Sequence, residues 1–170
     1  LLEKMLEETR RKTKDKVVIV SSFTKTLDLL EKIFVAQKWP LVRLDGSTDM
    51  AHRNHAVDQF QRDPNIFLFL LSTKAGGTGL NLFAANRLVL FDSCWNPAFD
   101  TQAQARVWRD GQTKETFIYR LLTTGMLDEK IFQRQLVKNE MGRTVLDDEG
   151  GADEGEAESG KNSKKSSQGK

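Results

Sequence analysis

Two arginines, Arg106 and Arg109, stand three positions apart in the run Gln102-Ala103-Gln104-Ala105-Arg106-Val107-Trp108-Arg109-Asp110-Gly111-Gln112. The spacing predicts a helix here, with Ala103 and Val107 as its packing stripe and Gly111 as its stop. On such a helix Gln102, Arg106 and Arg109 fall within roughly 60° of one another. An amide and two guanidiniums presented together, with no matching run of carboxylates, suit a phosphate-rich partner. A guanidinium offers phosphate oxygens a rigid fork of donors. A solvated arginine face is the alternative that spacing alone leaves open.

A second group lies upstream in Ser72-Thr73-Lys74-Ala75-Gly76-Gly77-Thr78-Gly79-Leu80-Asn81-Leu82. Closely spaced glycines let a backbone turn tightly and bring its N–H groups near an anion. Ser72, Thr73 and Lys74 add hydroxyls and a cation. Plain turn geometry also accounts for such a loop, and no Gly-x-x-x-x-Gly-Lys-Ser/Thr phosphate loop occurs in the chain. His52 and His55 sit one helical turn apart, but no cysteine or further histidine completes a metal site, so they read as a solvated helix face. Cys94, the single cysteine, cannot form an internal disulfide, and nothing beside it in sequence argues for a reactive thiol.

These groups need a scaffold, and the chain alternates apolar runs with amphipathic ones. Residues 1–15 form a leading segment, helical over 1–14, with Leu2, Met5, Leu6 and Thr9 on one side. Strands are predicted at Lys16–Ser21, Leu41–Leu44, Ile66–Leu71, Leu88–Phe91 and Thr116–Leu122. Further helices are predicted at Thr24–Gln37, through Met50, Val57 and Phe60, and at Leu127–Met141. Pro40 breaks the second helix, and Asp45-Gly46-Ser47-Thr48-Asp49 is turn chemistry ending in a capping acid. Continuous apolar strands alternating with helices imply an α/β fold, a parallel sheet covered on both faces. Ligands of such sheets gather at the carboxyl ends of strands. Ser21–Thr24, Asp45–Thr48, Ser72–Leu82 and Asp92–Pro97 each follow a strand directly.

With 38% hydrophobic and 29% charged residues, the composition is that of a globular domain, and no apolar run reaches the length of a membrane span. No signal peptide opens the chain, and a start at Leu1 inside a helical pattern points to a piece of a longer polypeptide. Residues 147–170 hold seven acids against four lysines, a net −3 that leaves +5 on residues 1–146 out of the total +2. That modestly basic body permits nucleic-acid binding without proving it. The tail has almost no apolar residues and is expected to be disordered, a solubilising segment whose lysines alternatively serve localisation or regulation.

In order along the chain, Val17–Ser22, Leu44–Thr48, Ser72–Leu82, Phe91–Pro97 and Gln102–Gln112 resemble the second-lobe motifs of Swi/Snf-type ATPases, superfamily-two relatives of helicases that translocate on double-stranded DNA. Arg106–Gln112, with Trp108 where chromatin remodellers more often have His, and Tyr119-Arg120-Leu121-Leu122 resemble most the Rad-fifty-four recombinational-repair branch. Cys94 departs from the Asp usual in the family, and Thr78 occupies a variable site.

The resemblance implies a RecA-like lobe over 16–146 and a DNA-dependent ATPase once a first lobe of the same polypeptide holds ATP and Mg²⁺. It makes Arg106 and Arg109 arginine fingers and puts Gln102, Gly77 and Gly79 along the nucleotide cleft. Ser22, Thr48, Thr73, Lys74 and Trp95 become DNA contacts. For Ser22 and Thr48 a helix cap is the plain alternative, and for Trp95 packing under its own loop. The resemblance further implies a nuclear protein of homologous-recombination repair, with a strand-exchange recombinase as a candidate partner, and a fragment inactive by itself. A chromatin-remodelling ATPase and a non-enzymatic DNA- or protein-binding module on this scaffold are the alternatives.

Overall fold

The computed structural model describes residues 1–75 and 79–149. In chain order the elements are α1 (Leu2–Lys12), β1 (Lys16–Ser21), α2 (Thr24–Ala36), β2 (Leu41–Leu44), α3 (Met50–Arg62), β3 (Leu68–Ser72), β4 (Ala85–Leu90), α4 (Pro97–Val107), β5 (Phe117–Arg120) and α5 (Leu127–Glu149). The strands form one all-parallel sheet in the order β2-β3-β1-β4-β5. The chain divides into a compact unit, Leu1–Leu136, and a second, Val137–Lys170. The sheet belongs wholly to the first.

Alternation along the apolar strands splits the core in two. Val18, Val20, Phe69, Leu71, Leu88 and Leu90 pack with Phe60 of α3 and Ala103 and Val107 of α4. Their neighbours Val17, Ile19, Leu68, Leu70 and Val89 pack on the other face with Leu2 and Leu6 of α1 and Leu27, Leu30 and Phe34 of α2. Each face is thus covered by helices, as the continuous apolar strands require, in a RecA-like arrangement. The leading helix is part of this unit, since Leu6 is fully buried.

Two boundaries differ from the sequence pattern. β4 begins at Ala85 rather than Leu88, although Asn86 and Arg87 interrupt its apolar run. Both are satisfied in place: Asn86 Nδ2 donates to Glu115 O at 3.1 Å, and Arg87 Nε pairs with Asp15 Oδ2 at 2.8 Å. α5 runs past Met141 to Glu149, so the first acids assigned to the tail are helical, and residues 150–170 lie outside the described residues.

Candidate functional site

At the carboxyl edge of the sheet, the loops after β1, β2 and β3 converge. Thr73 N donates to Ser21 O at 3.0 Å, joining the ends of β3 and β1. Asp45 organises the turn after β2: its Oδ1 accepts from Ser47 N at 3.0 Å and Ser47 Oγ at 2.5 Å, and its Oδ2 pairs with Arg43 Nη2 at 2.8 Å. The Ser47 hydroxyl, and with it Arg43, hold the Asp45 carboxyl below the usual carboxylate range against the opposing effect of burial. Burial pushes the Arg43 guanidinium down, but Glu31, Asp28 and Asp45 together hold it above its ordinary value. The three acids share this one guanidinium, so the cluster keeps a net negative charge. Thr24, Asp45, Gly46, Ser47, Ser72 and Lys74 are among the residues around a cleft of about 340 Å³. Thr48 is no side-chain cap of α3; its Oγ1 accepts from Asp45 N at 3.3 Å, while Asp49 caps the helix through His52 N at 2.8 Å.

Ser22 is not a helix cap either, since Phe23 holds the N-cap position of α2 without a side-chain bond. Its N–H donates to Asp92 Oδ1 at 2.9 Å, the neighbouring Ser21 hydroxyl also bonds Asp92, and the Ser22 Oγ is buried without a partner. Trp95 lies apart from the cleft, in the loop after β4, 52% exposed with the Arg134 guanidinium 5.9 Å from its ring. The structure thus gathers Ser22, Thr48, Thr73 and Lys74 along one edge, with Trp95 beyond β4.

The arginines lie elsewhere. α4 starts after the carboxyl end of β4 and runs back toward its beginning, where Leu82 N donates to Arg106 O at 3.0 Å. The rule that loops after parallel strands share the carboxyl edge therefore does not extend to this group. A second correction concerns the helix. It ends at Val107, and Trp108 takes φ −96 ψ 96, so Gln102 and Arg106 share a helical face but Arg109 stands on the turn that follows. At this end α4's last carbonyls are satisfied from outside, Arg106 O by Leu82 N and Val107 O by Gln112 Nε2 at 3.2 Å. Gly111 at φ +95 completes the turn in a conformation that favours glycine.

Arg109 remains close enough for its charge to matter. Burial first, then the charge of Arg109, push the Arg106 guanidinium below its ordinary value. Arg106 Nε is buried without a partner, and Arg109 Nη1 donates to Asn81 Oδ1. Neither arginine has a carboxylate partner among the described residues. Gly79, at φ +44, and Asn81 line a cleft of about 740 Å³ against Asn54, Val57, Gln61 and Arg62 of α3. Gly77 and Thr78 lie outside the described residues. Nothing in the local sequence marks Asn81, Asp92 or Gln112, because their bonds to residues 28, 70 or 71, and 27 or 29 positions away leave no periodic signal.

Comparison with known proteins identifies the family and the fold. Residues 1–111 match the helicase conserved C-terminal domain. The chain is 51% identical over 150 residues to the DNA repair protein rhp54 of Schizosaccharomyces pombe, covering 87% of this chain and 18% of that protein. It is 52% identical over 150 residues to the DNA repair and recombination protein RAD54-like of Homo sapiens, covering 88% and 20%. Protein CHROMATIN REMODELING 25 of Arabidopsis thaliana is 50% identical over 147 residues, covering 85% and 16%. The crystal structure of the C-terminal part of the Fun30 ATPase domain superposes with TM-score 0.74 at 44% identity, covering 78% of this chain and 43% of that one. This chain spans a fifth or less of the length of these three sequence relatives. It belongs to the helicase conserved C-terminal domain family, as a RecA-like lobe of the Swi/Snf type.

Proposed function

We propose that this chain is the second lobe of an ATP-dependent double-stranded DNA translocase and that Arg106 and Arg109 act on ATP held, with Mg²⁺, by a first lobe of the same polypeptide. The arginine turn carries the reading: two adjacent guanidiniums without a carboxylate partner among the described residues, one with a buried donor unused. Such a pair is electrostatically incomplete, and a polyphosphate completes it. Negative charge develops on the transferring phosphoryl group, and preorganised guanidiniums stabilise it. Arginine fingers in related NTPases contribute about 10³–10⁵ in rate. Gln102, one turn before Arg106, and Gly77 and Gly79 would border the nucleotide. Because the arginines arrive only when the lobes close, hydrolysis is tied to lobe motion, and this lobe by itself is inactive.

The carboxyl edge supplies the DNA side of the proposal. Hydroxyls of Thr48 and Thr73, the Lys74 ammonium and the exposed Trp95 ring suit phosphates and sugars rather than base edges, as a motor moving along any sequence requires. Ser22, its hydroxyl buried, stands beside Thr48, Thr73 and Lys74 along the same edge. The names of the fission-yeast and human relatives, a DNA repair protein and a DNA repair and recombination protein, support a role in recombination repair. A nuclear location and a strand-exchange recombinase partner belong to that same reading. A remodelling ATPase is the second reading, supported by the Arabidopsis relative's name. The test is DNA-stimulated ATP hydrolysis by the two-lobe polypeptide carrying Arg109→Ala. Loss of turnover with DNA binding retained is expected; wild-type turnover refutes the assignment.

A further inference from the structure

We propose that Gln112 is a positioning residue for hydrolysis, the side chain that sets where Arg109 stands; the inference rests on the arginine-finger reading above. Arg109 is off the helix, so helical hydrogen bonds cannot place it. Its turn must be fixed by other contacts, and Gln112 makes most of them. The Nε2 of Gln112 lies 2.7 Å from Ala85 O, 3.1 Å from Phe83 O and 3.2 Å from Val107 O. The Oε1 of the same carboxamide accepts from Lys114 N at 3.0 Å, and the Gln112 backbone N–H donates to Arg109 O at 3.0 Å.

One amide thus joins three segments: the end of α4, the start of β4 with the two residues before it, and the strand approach after the turn. Its two N–H hydrogens face three carbonyl oxygens, an environment that only a donor tolerates. On the far side of the turn, Asn81 holds the Arg109 guanidinium. The arginine is therefore held at its tip by the Asn81 side chain and at its backbone by the Gln112 N–H, and the Gln112 carboxamide ties that turn to the start of β4 and the end of α4. Displacing a catalytic group by about 1 Å costs on the order of 10²-fold in rate.

The discriminating variant is Gln112→Glu, which keeps the shape but turns the donor into a carboxylate facing three carbonyls. Gln112→Met, close in volume and uncharged, serves if the charge prevents folding. In the full two-lobe polypeptide, DNA-stimulated ATP turnover is expected to fall roughly 10²-fold, with KM for ATP and DNA affinity little changed. The Arg109→Ala/Gln112→Met double variant is expected to turn over no more slowly than Arg109→Ala, because both changes remove one function. Wild-type kcat in the Gln112 variants, with Arg109→Ala impaired, overturns the inference and leaves the finger assignment standing. Additive losses in the double variant also overturn it, since a structural role alone is independent of Arg109. Full activity in Arg109→Ala overturns the assignment beneath both.

Discussion

Replacing Arg120 by methionine tests how α4 is anchored, and with it the placement of the arginine turn. Asp100 lies in the first turn of α4 and is 4% exposed. Arg120 Nη1 of β5 reaches Asp100 Oδ2 at 2.7 Å and Gln135 Oε1 of α5 at 2.7 Å. Gln135 Nε2 lies 3.2 Å from Asp100 Oδ2 and also donates to Cys94 O. With Arg120 gone, the carboxylate is left buried against one neutral donor. Breaking a buried pair from one side costs about 3–5 kcal/mol, and the partial exposure of Arg120 places this case near the lower figure, about 3 kcal/mol. For a unit of this size each kcal/mol moves the midpoint by roughly 3 °C, so Arg120→Met is expected to melt about 10 °C lower by circular dichroism. The double variant Asp100→Leu/Arg120→Met removes both charges and is expected to recover all but about 1–2 kcal/mol. A single variant melting within about 2 °C of the parent, or a double variant worse than the single, would refute the reasoning.

Three further outcomes follow from local geometry. Phe60 is fully buried, edge-on to Phe69 at 5.0 Å with the Lys16 ammonium 4.9 Å from its ring, so Phe60→Ala is expected to cost about 3–5 kcal/mol in urea unfolding. Lys38 follows α2 at φ +57, a left-handed conformation that glycine adopts without the Cβ penalty, so Lys38→Gly is expected to stabilise by about 1 kcal/mol in the same assay. Ser47→Ala removes the largest influence lowering the Asp45 pKa, so the Asp45 carboxyl, followed by carbon-13 NMR, is expected to titrate closer to the usual range. The sign is that of a depressed carboxylate: its contribution is complete above the unfolded pKa and is lost as pH falls through the folded one. The parent therefore keeps part of this stability into more acidic solution than the variant does, measured by urea unfolding across the acid range.

Much of the scaffold can be read from residue types because one-dimensional periodicity carries it. Val17–Val20 and Leu68–Leu71 are apolar at every position, which only a strand covered on both faces sustains, and the two cores divide them by alternation. β4 is the exception. Arg87 breaks its pattern yet sits in the sheet because Asp15 and the Phe117 ring, 4.5 Å from its guanidinium, satisfy it from other elements. Such tertiary compensation has no local signature.

The candidate site divides along the same line. Ser22, Thr48, Thr73 and Lys74 follow strands directly, so the rule that parallel strands deliver their loops to one edge places them together. The arginines obey a different constraint. A helix that leaves the carboxyl end of one strand must run back across the sheet, so its last turn arrives at the opposite end. The length of α4 therefore separates the candidate DNA contacts from the candidate nucleotide contacts. Helical periodicity alone could not show where Arg109 stands, because the partners of the last carbonyls of α4, Leu82 N and Gln112 Nε2, lie outside the helix. What a local pattern cannot express is a hydrogen bond that arrives from about 25 residues upstream to satisfy a helix end. In this lobe the helix ends before Arg109, which stands on the following turn with its tip held by Asn81 and its backbone bonded to Gln112.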